Sequence, residues 1–133
     1  MTRLTQTEEY PKGDCFRTSI ACILGCDRPE EVPNFMEDGE THFYTYFNNW
    51  LKAEGITYIE VACDSENGEH PFIQLPEGMS CILVGKSPRG EYDHAVVGKV
   101  GPNRFIEAIH DPSPHRGEVF VEGPIKYIGL LFP

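Results

Sequence analysis

Three short runs carry residue types that could do covalent chemistry together. Cys15 lies in Lys12-Gly13-Asp14-Cys15-Phe16-Arg17, His94 in Asp93-His94-Ala95-Val96-Val97, and Asp111 in His110-Asp111-Pro112. A thiol, an imidazole and a carboxylate are the parts of a nucleophile, its base and the group that orients the base. Cys15 stands just before the apolar stretch Ile20-Ala21-Cys22-Ile23-Leu24, which ends at Gly25. It therefore falls on the first turn of an expected helix, with Asp14 available as the N-cap. Amides at a helix N-terminus favour negative charge, which biases a thiol there toward thiolate. Thiolate is the form that attacks a carbonyl carbon.

The elements that must hold these groups read as helices first and strands second. The first helix is expected from about Cys15 to Leu24, with Phe16, Ile20, Ile23 and Leu24 as its buried stripe. Arg28-Pro29-Glu30-Glu31-Val32 suits the start of a short second helix, with Pro29 in the first turn and two carboxylates favoured by the dipole, and Pro33 keeps it brief. A third helix from about Glu40 to Glu54 carries Phe43, Phe47, Trp50 and Leu51 on one face and stops at Gly55. Strands are expected at Thr57 to Cys63, Ser80 to Gly85, His94 to Val100, Arg104 to Ile109, Glu118 to Val121 and Lys126 to Phe132. Turns are expected at Asn67-Gly68, Pro76-Glu77-Gly78 and Gly101-Pro102-Asn103. Residues 1 to 13 read as an extended lead-in, because Pro11 and Gly13 hold off helix until Asp14. This is an α+β layout in a single domain, 1–133, with a helical part over about 14–54 and an antiparallel sheet over about 57–133.

The turn near Gly101 makes a geometric expectation. In an antiparallel hairpin centred there, paired positions sum to about 205, which sets His94 opposite Asp111. A slip of one residue would pair His94 with His110 instead. In the first register the carboxylate holds the imidazole tautomer and stabilises the imidazolium while Cys15 attacks. The Cys15 amide at the helix start is one oxyanion donor, and a side-chain amide upstream is the other. Gln6 is the only glutamine ahead of Cys15. His110 and His115 could replace His94 as the base or bind metal with it, though they lie in a proline-rich loop rather than opening a strand. Cys22 and Cys26, four apart, are expected to pack rather than bind metal, because no zinc-type partner set follows them. No metal and no cofactor are expected.

The chain has 133 residues, 21 of them acidic and 11 Lys or Arg, for a formal net charge of −10. That balance argues against nucleic acid or an anionic membrane as the main partner and leaves a peptide or protein substrate. Residues Met1 to Gln6 hold no apolar core of signal-peptide length, and no segment approaches a membrane span. Five cysteines, Cys15, Cys22, Cys26, Cys63 and Cys81, form no regular framework. A reduced, cytoplasmic protein is expected.

The three runs together resemble the papain-like cysteine peptidases. Gln6 followed by Gly13-Asp14-Cys15-Phe16 resembles the glutamine and the cysteine-bearing helix start of that superfamily. Asp93-His94-Ala95-Val96-Val97-Gly98 is similar to its histidine strand, and His110-Asp111-Pro112 to the Asp-Pro of the small bacteriocin-leader (double-glycine) peptidase branch. The resemblance implies a papain-like fold, Cys15 as nucleophile, His94 as general base, Asp111 as orienter, and Gln6 with the Cys15 amide as oxyanion hole. It also implies a bacterial or phage thiol hydrolase acting on a peptide, isopeptide or other amide bond. Two other functions fit the same residues. One is an acyltransferase using the same triad, and the other is a catalytically silent protein-binding module.

Overall fold

In a computed structural model, residues 1–7, 13–37, 39–63, 74–102, 105–114 and 121–133 are described. Helix α1 (Cys15–Leu24), a 3₁₀ turn (Pro29–Glu31) and helix α2 (Glu40–Glu54) are followed by five strands. These are β1 (Thr57–Ala62), β2 (Ser80–Lys86), β3 (Asp93–Val100), β4 (Ile106–His110) and β5 (Glu122–Phe132). They form one antiparallel sheet in the order β1-β5-β2-β3-β4. The chain is therefore α+β, with its helices ahead of its strands.

Both helices stop where expected, for one physical reason. Gly25 and Gly55 take φ of 74° and 67°, the left-handed conformation that a Cβ disfavours. There the amides of Cys26 and Ile56 reach back to the carbonyls of Ala21 and Leu51, at 2.9 and 3.0 Å. The apolar stripes then bury against the sheet. Ile20, Ala21, Phe35, Phe47 and Leu51 close over Ile82 and Ala95. Phe16 sits at the centre of an edge-to-face group, 5.3 Å from Phe47, 5.5 Å from Phe43 and 5.8 Å from Tyr58. Leu24, expected in the stripe, is 45% exposed, because it lies at the helix end beyond the packed surface.

Alternation along the strands fills the other face. Cys81, Leu83, Val96, Ile128 and Leu130 form a second buried cluster, while Ile82 and Val84 face the helices. β5 begins at Glu122, four residues before the expected Lys126. Of the strand expected over Glu118 to Val121, only Val121 is described, and it precedes β5. Asn67-Gly68, Pro11, Asn103, Arg104 and His115 lie outside the described residues.

The β3–β4 hairpin differs from its expected register. Val100, Lys99 and Gly98 face Ile106, Glu107 and Ala108, then Val97 faces His110, so Ile109 is an extra, bulged residue. The direct His94–Asp111 pair is therefore not made, and neither is His94–His110. Carried one step further, the bulged register sets Asp111 against Val96, a diagonal neighbour of His94 on the same face. Without the bulge Asp111 would fall against Ala95, on the opposite face.

Candidate active site

The three residues singled out in the sequence meet at the end of β3. His94 opens the strand and Asp111 follows the end of β4, with His94 Nε2 2.6 Å from Asp111 Oδ1. Both side chains are almost fully buried, at 3% and 1% exposure. The Cys15 thiol also lies close enough to act on His94, through a side-chain hydrogen bond and through its charge. β4 has ended by this level, so β3 has no strand neighbour on that side, while β2 still pairs with it on the other. The Ala95 amide instead donates to Cys15 Sγ at 3.4 Å. The first turn of α1 thus occupies the place that a longer β4 would take.

Asp111 is oriented by its own turn. Its Oδ1 accepts the Ser113 amide at 2.8 Å as well as the imidazole, an Asx-type turn that presents the carboxylate to His94. Asp-Pro-Ser at 111–113 carries that signal in the sequence, and Ser113 belongs in the site for this reason. Its Oδ2 is buried with no hydrogen-bond partner among the described residues.

The lead-in is strapped to the same corner. His110 donates from Nε2 to the Leu4 carbonyl at 2.5 Å, so this rival to His94 is engaged in holding the arm. Gln6 donates its backbone amide to the Pro112 carbonyl at 2.7 Å and lines the cleft that holds Cys15 and His94. Thr7 then meets Asp14. The Asp14 carboxylate accepts the Thr7 amide at 2.9 Å, the Thr7 hydroxyl at 2.8 Å and Arg17 Nε at 2.9 Å. Asp14 occupies the N-cap position of α1 but makes no side-chain cap bond, a correction to its expected role. The arm takes the carboxylate that the helix amides would otherwise use.

Arg17 completes this clasp by donating to the Val32 carbonyl at 3.0 Å and the Thr7 hydroxyl at 3.2 Å. Sequence reasoning missed both Arg17 and Thr7. The Asp14–Arg17 spacing of three, which joins side chains on one helix face, was the available signal. The remaining thiols serve packing. Cys22 accepts the Leu4 amide at 3.4 Å, and burial pushes the thiols of Cys22, Cys26 and Cys63 up and that of Cys81 to about 12. No group of three or more metal-ligating side chains occurs among the described residues. No helix among them is long and apolar enough to cross a membrane.

The cleft has a volume of about 910 Å³. Cys15, His94 and Gln6 lie at one end, and Phe16, Phe43 and Phe47 form an aromatic wall. A second hollow of about 450 Å³ by Gly78 and Gly101 holds none of these groups.

Charge in the site follows from burial and pairing. Burial opposes a cation at His94, but hydrogen bonds to Asp111 and Cys15, with their negative charge, outweigh it and hold the imidazole up at about 9. Burial likewise opposes charge on Asp111. The His94 and Ser113 bonds and the charges of His94 and Arg89 overcome it and hold the carboxyl below 3.8.

These shifts fix the sign of a pH effect. The His94 contribution to folding is fully present below its ordinary value of 6.5 and is lost as pH rises through about 9. The Asp111 contribution is present above 3.8 and is lost as pH falls through its lower folded value. The histidine part amounts to about 3 kcal/mol. Stability measured by urea titration is expected to be level between about pH 5 and 6.5. It should then fall toward pH 9, with a shallower alkaline fall in His94→Gln. Equal slopes in the two proteins would contradict the pairing.

No family model matches the chain, and neither a curated protein nor a solved structure gives a significant match to it.

Proposed function

We propose that the protein is a small papain-like thiol hydrolase that cleaves a peptide, isopeptide or other amide bond through an acyl-enzyme. The observation that carries this reading is His94, held between the Asp111 carboxylate and the Cys15 thiol at one end of an open cleft. Asp111 on Nε2 leaves the other ring nitrogen to exchange a proton with sulfur. A buried carboxylate keeps the imidazole in the required orientation and stabilises its charged form.

The reaction balances with these groups alone. The Cys15 thiol gives its proton to His94 as the sulfur attacks the carbonyl carbon, and the oxygen takes up the negative charge. The Cys15 amide at the start of α1 and the Gln6 side chain are its donors. The tetrahedral adduct collapses, the C–N bond breaks, and His94 gives its proton to the leaving amine. Water then attacks the thioester as His94 accepts a proton from it. The C–S bond breaks, the acid is released and the thiol–imidazole pair is restored. Neither a metal nor a redox partner enters any step.

The test uses the whole protein with a mixed peptide digest in water enriched in oxygen-18, quenched in acid. The expected result is a hydroxylamine-sensitive acyl adduct on Cys15 and new peptide C-termini carrying one heavy oxygen. An adduct that passes only to added amines, with no labelled acid, would make the protein an acyltransferase. Absence of adduct and cleavage together would remove the enzyme reading.

A further inference from the structure

The cleft extends well past the sulfur, and its far end differs chemically from its near end. Across the helix-facing surface of the sheet it passes from Ala95 on β3 to Val84 on β2, Tyr127 on β5, and Tyr58 and Glu60 on β1. Ala95 pairs with Val84 and Val84 with Tyr127, so these three lie on one level. Glu60 pairs with Gly129, two residues further along β5. Three strand spacings separate β3 from β1, about 14 Å, with about 7 Å more along the strand. An extended peptide advances about 3.4 Å per residue, so this distance spans four or five residues, less the reach of a long side chain.

Three carboxylates line the cleft, and two of them have a lysine within 4.0 Å. Asp93 pairs with Lys126 at 2.7 Å, and Glu91 with Lys86 at 3.6 Å. Glu60 has no cationic partner within 4.0 Å among the described residues. It accepts the Tyr58 hydroxyl at 3.3 Å. Tyr58 packs edge-on to Phe16 and Phe47, while Tyr44 and Tyr127 are exposed within the same cleft. A carboxylate on a shelf of tyrosine rings suits a cation with an apolar stem. The carboxylate takes the charge, and ring faces attract it in addition. The chain's net charge of −10 favours the approach of such a ligand.

Resting on the hydrolase reading, we propose that the cleft selects peptides bearing a lysine or arginine three to five residues from the scissile amide, seated on Glu60 beside the tyrosine shelf. An exposed ion pair and a cation–ring contact together favour arginine over a neutral residue by about five- to tenfold. The apolar wall of Phe16, Phe43 and Phe47 takes the residues in between.

Two arms test this with one peptide digest. In the first, wild-type protein cleaves the digest and mass spectrometry reads the residues around each new terminus. Lysine and arginine are expected to be enriched about five- to tenfold three to five positions from the cut. The enrichment should be absent in Glu60→Gln and present in Glu54→Gln, which alters an exposed carboxylate outside the cleft. Cleavage without that enrichment, or enrichment that survives Glu60→Gln, would overturn the subsite and leave the hydrolase standing. In the second arm, immobilised Cys15→Ala protein retains peptides from the same digest without any cleavage. Retention of basic peptides that is lost on adding Glu60→Gln supports the subsite even if no peptide is ever cut. Indiscriminate retention, or none, overturns it.

Discussion

Replacing Cys15 with serine is expected to lower peptide turnover by about 10³-fold or more, with the fold retained. A serine hydroxyl is a far weaker nucleophile beside the same imidazole, because its oxygen gives up its proton much less readily than sulfur does. The exchange removes little packing. Cys15 is only half-buried, and serine keeps an acceptor for the Ala95 amide that now donates to Sγ at 3.4 Å. His94→Ala is expected to cost about as much, because the thiol and imidazole act as one unit. The double variant should then be hardly slower than either single one. Initial rates on a peptide found by the digest assay, with circular dichroism to confirm folding, give the check. Additive losses, or a Cys15→Ser protein with near-normal rates, would show that the chemistry lies elsewhere.

The largest stability effect is expected at the clasp beneath the nucleophile. The Asp14 side chain is fully buried and Arg17 is 10% exposed, with Nε 2.9 Å from the carboxylate. Removing one partner of a buried ion pair leaves the other charge without compensation, at a cost of about 3–5 kcal/mol. Asp14→Ala also leaves the Thr7 amide and hydroxyl without the acceptors they now have at 2.9 and 2.8 Å. Asp14→Ala with Arg17→Met should lose less than Asp14→Ala alone, because the stranded cation is gone. Urea titrations of the four proteins measure this coupling. Simple additivity, or a loss below about 1 kcal/mol for Asp14→Ala, would mean that the clasp carries little. Because Thr7 follows Gln6 directly, Asp14→Ala should also loosen the arm that places Gln6 in the cleft.

Much of the fold was legible because local rules decided it. The stripe in α1, the aromatic face of α2 and the glycine after each helix acted as propensity and periodicity predict. β2 and β3 are short, apolar and bounded by turns, so their limits could be read closely. What was not legible depended on pairings distant in sequence. Nothing in the sequence of β5 says that it inserts between β1 and β2. The ladder beside the turn already runs one residue off the expected register, and the bulge at Ile109, with no glycine or asparagine to announce it, adds a second.

The site survived that error because Asp111 lies beyond the ladder, where its Asx turn aims the carboxylate. Asp14 shows the opposite case. Its type and position suggested a helix cap, yet an arm seven residues upstream competes for the same oxygens and wins. Gln6 was read only as a candidate donor. The bonds that bring it to the cleft run from its amide to Pro112 and through Thr7 to Asp14.

The coupling of thiol and imidazole is the centre of the proposed chemistry, and alkylation reads it without a substrate. Wild-type and His94→Gln proteins are treated with limiting iodoacetamide at about pH 6.5 and the labelled cysteines are mapped by mass spectrometry. Cys15 is expected to react well ahead of Cys26 and Cys63, whose thiols burial pushes up, and to lose that lead in His94→Gln. A Cys15 that labels no faster than those two, or equally fast without His94, would contradict the thiol–imidazole pair.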